Sequence, residues 1–161
     1  MKLSEYIEKY GDCEVTDEID KCIVKKSKTV YDLKDGDIYF FLSAVGVIMT
    51  GIWRNDSGDQ CRLSLGNMFL TKKDAEFAME RLKVIAELKK YAKEFSDEEW
   101  MNKDLPKYHI GFEYGCRVLS CYSSFWCRGL DLYFESKEKA QEAIEAVGED
   151  RVKKYYLGVK E

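Results

Sequence analysis

The sequence has little of the material from which most active sites are built. It contains a single histidine, His109, although histidine is the commonest general acid–base and the usual activator of serine and cysteine nucleophiles. It also contains no glycine-rich phosphate loop, no G-x-G-x-x-G fingerprint and no G-x-S-x-G elbow. Acidic residues are plentiful, but their spacing does not indicate a catalytic pair. We therefore expect a protein that is not an enzyme.

Long apolar runs are missing as well. No run approaches the ~20 residues that are needed to span a bilayer. The first residues, Met1–Glu5, do not introduce the apolar block of a signal peptide. We therefore expect a cytoplasmic protein that has no membrane partner.

The six cysteines include no C-x-x-C pair, the spacing with which two thiolates hold zinc from a tight turn. A Cys₃His zinc site of Cys116, Cys121, Cys127 and His109 would need gaps of five and six residues inside predicted strands. Because the cytoplasm is reducing, buried free thiols are the preferred interpretation. The sequence thus predicts no metal site and no other cofactor.

The overall composition is that of a folded, slightly acidic protein. Hydrophobic residues make up 45% of the chain and charged residues 35%, and the net charge of −4 supplies no basic field for nucleic acid or anionic lipid. The charge is uneven, because seven acids and two lysines in residues 1–20 precede four lysines between Lys21 and Lys28. We interpret both clusters as solvated surface. The alternative is that the lysines contact nucleic acid.

The hydrophobic pattern predicts an α+β fold of two tandem units, each with three antiparallel strands followed by a helix (βββα). Residues 1–29 are predicted to form a short helical segment, and residues 30–95 the first unit. The elements predicted in this unit are the strands Ile38–Ser43, Val47–Arg54 and Gln60–Leu65, and a helix from Thr71, its N-cap, to Phe95. The helix is predicted to carry one apolar stripe, formed by Ala75, Ala78, Leu82, Ile85, Leu88 and Ala92.

A linker, residues 96–106, precedes the second unit, residues 107–161, which repeats the pattern. Its predicted elements are the strands Lys107–Tyr114, Cys116–Tyr122 and Phe125–Phe134, a helix from Ser136 to Val147, and a last helical turn, Glu149–Leu157. A shift of 65 residues places Phe69 on Phe134 and Thr71 on Ser136, at the junction from strand to helix. We interpret this match as a duplication, with convergence on a common junction as the alternative.

Tryptophan, tyrosine and arginine near the predicted turns are candidate binding residues, because they dominate binding hot spots and can join a stacking ring to a phosphate contact. The candidates are Trp53, Arg54, Asp56, Arg62, Tyr122, Trp126 and Arg128. The alternative is that both tryptophans are core residues and the arginines are solvated. Asp56 and Asp59 flank a predicted turn, where they either shape the turn or hold a divalent cation. We prefer the first role.

Several stretches of the chain resemble small proteins that are encoded by phages and prophages of Gram-positive bacteria. These stretches are Leu3–Asp12, Lys28–Asp37, Trp53–Asp59, Arg62, Gly66-Asn67, Phe69, Thr71–Ala75 and Phe134–Gly158. Together they cover most of the sequence. The family more often has tryptophan where this chain has Tyr31.

The resemblance implies a setting in the cytoplasm of a bacterial host. Short phage proteins without catalytic motifs often inhibit a host protein, and anti-CRISPR proteins are prominent among them. Our leading hypothesis is therefore a non-catalytic phage-encoded inhibitor that binds a bacterial defence protein. One alternative is a sponge, built as a homo-oligomer, that sequesters a nucleotide-type immune signal through Arg54, Arg62, Arg117 and Arg128. Another is an accessory protein that binds nucleic acid through Lys21 to Lys28.

Overall fold

The computed structural model describes residues 28–125, 128–129 and 132–160. The helical segment predicted over residues 1–29 therefore lies outside the described residues except at its end. The chain divides into two compact units, residues 1–32 and 33–161. In the first of them, the described residues form a 3₁₀ turn, Val30–Asp32, in which the backbone N–H and hydroxyl of Thr29 both donate to the Asp32 carboxylate.

The second unit begins with an antiparallel hairpin of β1 (Ile38–Leu42) and β2 (Ile48–Ile52). Its register pairs Tyr39 with Gly51 and Phe40 with Thr50. Both backbone groups of Phe40 bond to Phe69, at 2.9 Å each, on the side of β1 away from β2. The hairpin therefore forms a two-stranded sheet whose first strand is covered at its outer edge.

The third strand predicted for the first unit, Gln60–Leu65, is wrong, because these residues belong largely to helix α1 (Ser57–Ser64). Asp56 caps this helix by accepting a hydrogen bond of 2.9 Å from the Asp59 backbone N–H. The alternation of apolar residues favoured a strand, but Cys61 and Leu65 are exposed and Asp59 is buried. The local capping signal thus outweighs the alternation.

Helix α2 (Lys72–Leu88) starts where the sequence predicts, since the Thr71 hydroxyl accepts from the Asp74 backbone N–H. It ends seven residues before the predicted end at Phe95. The reason lies in the second half of the chain, where the backbone N–H of Lys93 donates to the carbonyl of Tyr133 at 2.7 Å. This pairing draws the chain away from the helix axis.

The apolar stripe predicted along α2 is buried or half-buried except at Leu82, but burial also extends to Val84, which lies outside the predicted stripe. Nine residues separate buried Ala75 from buried Val84, and at about 100° per residue their side chains point to opposite sides of the helix. Val84 and Leu88 enter the main core. Leu82, on the same side as Ala75, is 60% exposed. Helix α2 is therefore placed between the hairpin and the rest of the molecule.

The second half consists of helix α3 (Asp97–Met101), three antiparallel strands and two further helices. The strands β3 (Lys107–Glu113), β4 (Val118–Ser124) and β5 (Tyr133–Phe134) form a sheet in the order β4-β3-β5. The helices are α4 (Lys137–Val147), which Ser136 caps as predicted, and α5 (Glu149–Arg151), which continues into a π-helix, Val152–Tyr156. The predicted third strand, Phe125–Phe134, is reduced to the two residues of β5 among those described.

The main core lies where α2, α4 and the π-helix pack on one face of the second sheet. Its buried members are Val84, Leu88, Ile110, Phe134, Ala140, Ala143, Ile144, Val147 and Val152. The two alanines in α4 allow that helix to approach the sheet closely. An α+β fold with antiparallel sheets is thus confirmed, whereas the tandem βββα arrangement is not, since the first sheet has two strands. No helix among the described residues is long and apolar enough to cross a membrane.

Candidate functional site

Three of the predicted binding residues, Arg54, Asp56 and Arg62, contact Asp59, whose side chain is buried. The Tyr39 hydroxyl donates to Asp59 Oδ1 at 2.5 Å, and the Arg54 backbone N–H donates to Oδ2 at 2.7 Å. Burial by itself would raise the pKa of Asp59, but the hydrogen bonds from Tyr39 and from backbone N–H groups outweigh it and hold that pKa below its usual range. The charge on Asp59 is therefore part of the folded state.

Arg62, in the last turn of α1, completes this network. Its Nη1 donates to the Tyr39 hydroxyl at 2.8 Å and lies 3.6 Å from Asp59 Oδ1. Its guanidinium carbon lies 4.1 Å from the centroid of the Phe41 ring, within reach of a cation–π interaction. Burial raises the pKa of Tyr39, so that its hydroxyl keeps its proton for Asp59.

The network holds α1 against the hairpin, and its residues make contacts within the protein. Trp53 is only 8% exposed, as the core alternative for this tryptophan requires. Asp56 is used as the cap of α1, and both oxygens of Asp59 accept hydrogen bonds from protein groups. A divalent cation at Asp59 would have to displace those bonds. Arg54 and Asp56 are exposed, and the side chain of Arg54 makes no ion pair among the described residues.

The remaining predicted residues belong to the second half of the chain. Tyr122 stacks on His109, with ring centroids 5.8 Å apart, and Arg128 donates to Asp97 at 3.1 Å. Trp126 lies outside the described residues. His109 is half-buried, its ring is also 5.9 Å from that of Tyr133, and its Nδ1 is buried without a hydrogen-bond partner among the described residues.

The cysteines were expected to be buried, and this is wrong for Cys61 and Cys116, which are exposed free thiols. Cys121 is half-buried, and burial raises the pKa of its thiol. Among the residues that the structure describes, no three histidine, cysteine or acidic side chains are grouped so that they could hold a metal ion. The described thiols therefore give no basis for a metal centre.

A surface that the sequence interpretation missed lies on the hairpin. Seven of the fourteen large apolar side chains that are exposed in the described part of the chain lie in the hairpin, directly after α1, or on the side of α2 that carries Ala75. They are Ile38, Val45, Val47, Met49, Ile52, Leu65 and Leu82. The signal in the sequence was the run from residue 44 to residue 53, which has no charged side chain in a protein that is 35% charged. An exposed apolar patch of this kind indicates an interaction surface.

The outer edge of β2 is open. Because both backbone groups of Phe40 bond to Phe69, Thr50 opposite Phe40 directs its own N–H and carbonyl away from β1. By the same alternation, Ile48 and Ile52 do so too, and no further strand pairs with them among the described residues. The edge also lacks the lysine, proline or inward charge with which proteins commonly protect an exposed strand.

A groove of about 670 Å³ lies between α2 and the end of β1, on the side of the hairpin where Phe69 covers β1 and opposite the open edge of β2. Its apolar lining comes from both elements and from the turn after α1: Leu42, Ala44, Leu65, Phe69, Ala78, Leu82 and Ile85. Arg81 adds a cation, while the Asn67 amide is occupied by the backbone of Leu42. We call the open β2 edge and this groove together the hairpin surface.

Comparison with known proteins adds no family to this description. No protein-family model matches the chain, and neither the curated proteins nor the solved structures contain a match. The hairpin surface is thus defined by its own geometry alone.

Proposed function

We propose that the protein is a non-catalytic binding protein that docks on a bacterial defence protein through the hairpin surface. The observation that carries the proposal is the open, uncharged edge of β2, and the apolar groove on the β1 side of the same hairpin is a second exposed feature. Such an edge accepts an extended segment of another protein as an added strand, with backbone hydrogen bonds supplying affinity. Apolar side chains of that segment would pack on the exposed side chains of β2, such as Met49 and Ile52.

The resemblance to small phage proteins supports the choice of partner. A phage protein that acts without catalysis has to bind its target stoichiometrically, and an exposed apolar surface is what such binding requires. A host defence protein, such as a CRISPR nuclease, is the partner that this setting favours. The setting also implies the cytoplasm of the bacterial host.

The test combines a cellular assay with two substitutions at one position. Cells that carry an active CRISPR system are transformed with a targeted plasmid, with and without expression of the protein. We expect the wild-type protein to restore plasmid uptake. Thr50→Pro removes the outward N–H of the β2 edge without breaking the pairing with β1, and we expect it to abolish the effect. Thr50→Val keeps that N–H and should retain the effect.

Binding is then measured directly with the purified nuclease. Wild-type protein should co-elute with it, and Thr50→Pro should not. The melting temperatures of Thr50→Pro and Thr50→Val should agree with that of the wild-type protein within a few degrees. If Thr50→Pro and Ile52→Lys restored plasmid uptake as well as the wild-type protein does, the hairpin surface would be excluded as the binding site. Failure of the wild-type protein against every CRISPR type tried would exclude this class of partner.

A further inference from the structure

A second cavity, unrelated to the hairpin surface, lies between the end of α2 and the edge of the second sheet. It is a cleft of about 600 Å³, within the ~300–1,000 Å³ of small-molecule sites. The described residues that line it include Lys89, Lys93, Phe95, Trp100, Arg128 and Tyr133. Aromatic rings and cations thus meet in one concave site.

Trp100 is the centre of this cleft. Its ring lies 4.9 Å from that of Tyr133 and 6.0 Å from that of Phe95, both at steep angles. Phe95 and Tyr133 are buried, whereas Trp100 is half-buried. Trp100 is therefore the ring of this group that remains available to stack on a ligand.

A buried cation lies directly behind Trp100. Lys107 is 0% exposed, and its Nζ lies 5.2 Å from the centroid of the Trp100 ring. Its hydrogen-bond partner is a neutral group, the carbonyl of Asn102 at 3.1 Å. No acidic side chain among the described residues forms an ion pair with it. A buried charge without a counter-ion is costly, so an anion bound nearby would be strongly favoured.

The other cations of the cleft differ in how firmly they are already ion-paired, and so in how readily they could bind an anion. Lys93 is held by Glu99 at 2.8 Å, and this bond keeps the pKa of Glu99 below its usual value. Arg128 pairs with Asp97 at 3.1 Å, but both side chains are largely exposed, 63% and 94%, so the ion pair contributes little. Arg128 can therefore leave Asp97 for a stronger anion. Lys89 makes no ion pair among the described residues.

We propose that this cleft binds a small ligand that joins a flat aromatic ring to a phosphate, of which a nucleoside monophosphate is the simplest form. The ring stacks on Trp100, as bases do on exposed aromatic side chains. The phosphate accepts a pair of charge-assisted hydrogen bonds from the guanidinium of Arg128. The uncompensated charge of Lys107 adds attraction from behind the ring.

The experiment measures the affinity of the full-length protein for the four common nucleoside 5′-monophosphates by calorimetry. Inorganic phosphate and the free nucleosides serve as probes of the two halves of the ligand. We expect at least one monophosphate to bind about tenfold or more tightly than either half. Trp100→Leu and Arg128→Gln should each weaken binding about tenfold. Arg81→Gln, the same charge change in the groove beside the hairpin, should leave it unchanged.

Lys107→Met separates a role in binding from a role in folding. Removal of the uncompensated buried charge should raise the melting temperature of the ligand-free protein and at the same time weaken nucleotide binding. A raised melting temperature with unchanged affinity would overturn the contribution of Lys107. The absence of binding by all four monophosphates at millimolar concentration would overturn the proposal as a whole, and so would binding confined to longer single strands.

Discussion

The hydroxyl of Tyr39 and the carboxylate of Asp59 form a buried hydrogen bond of 2.5 Å that joins the hairpin to helix α1. Tyr39 is fully buried and Asp59 is 2% exposed. Because the acceptor is ionised, this bond is of the strong, charge-assisted kind. It fixes an irregular stretch of chain, the turn from β2 into α1, against the strand that lies most deeply in this half of the molecule.

Removal of the Tyr39 hydroxyl should destabilise the protein clearly. Tyr39→Phe leaves Asp59 Oδ1 with Arg62 at 3.6 Å and takes away the acceptor of the Arg62 hydrogen bond. We expect a loss of about 2 kcal/mol in the free energy of unfolding, measured by urea denaturation. Tyr114→Phe, at an exposed position, is the control and should change stability by less than about 0.5 kcal/mol.

Asp59 should make the protein sensitive to acid. Its pKa in the folded protein is lowered, so its contribution is fully present above the unfolded pKa of about 3.9 and is lost as the pH falls through the folded value. We expect the free energy of unfolding of the wild-type protein to fall more steeply below pH 4 than that of Asp59→Asn. Asp35→Asn, in an exposed turn, should follow the wild-type curve. Parallel curves for the wild-type protein and Asp59→Asn would contradict the assignment.

Gly51 should not tolerate a side chain. A Cβ atom at this position would lie 2.5 Å from the ring of Tyr39, which is fully buried and whose hydroxyl is hydrogen-bonded to Asp59 and Arg62. Gly51→Ala should therefore cost about 1–3 kcal/mol, seen as a lower midpoint of thermal or urea unfolding. Gly115→Ala provides the comparison, since nothing lies within 4 Å of its added Cβ, and it should be nearly neutral.

The two halves should also be linked by one ion pair. Arg151 in α5 donates to both carboxylate oxygens of Glu87 in α2, at 2.8 and 3.0 Å, and this contact lowers the pKa of Glu87. Both side chains are about one-third exposed, so screening reduces the effect. A double-mutant cycle with Glu87→Gln and Arg151→Met should give a coupling of about 1 kcal/mol that shrinks in high salt. A coupling near zero at low salt would contradict this linkage.

Local signals in the sequence predicted the structure well where neighbours in the chain decide it. The caps Thr71 and Ser136 act over three residues, and both are present. The strand predicted over Gln60–Leu65 is wrong because a local signal of the same kind, the cap at Asp56, starts a helix there in spite of the alternation of apolar residues.

Local signals of this kind could not predict the two candidate sites. The cleft brings Trp100 against Tyr133, 33 residues further along the chain, and their meeting depends on the packing of α3 against β5. The burial of Trp53 depends likewise on how α1 folds back over the hairpin. The open edge of β2 could have been predicted from its uncharged sequence, but not the fact that Phe69 covers the opposite edge of the hairpin. Contacts between distant residues are what the pattern of apolar residues does not specify.

The burial of α2 on two opposite sides has a consequence for how the gene could have grown. If the chain arose by duplication of an ancestral half, α2 acquired a second apolar side, on which Val84 and Leu88 face the second half. Its counterpart α4 is buried on one side. Deletion of either half would then expose one of the two apolar sides of this helix. We therefore expect the two halves to unfold together, in one cooperative transition.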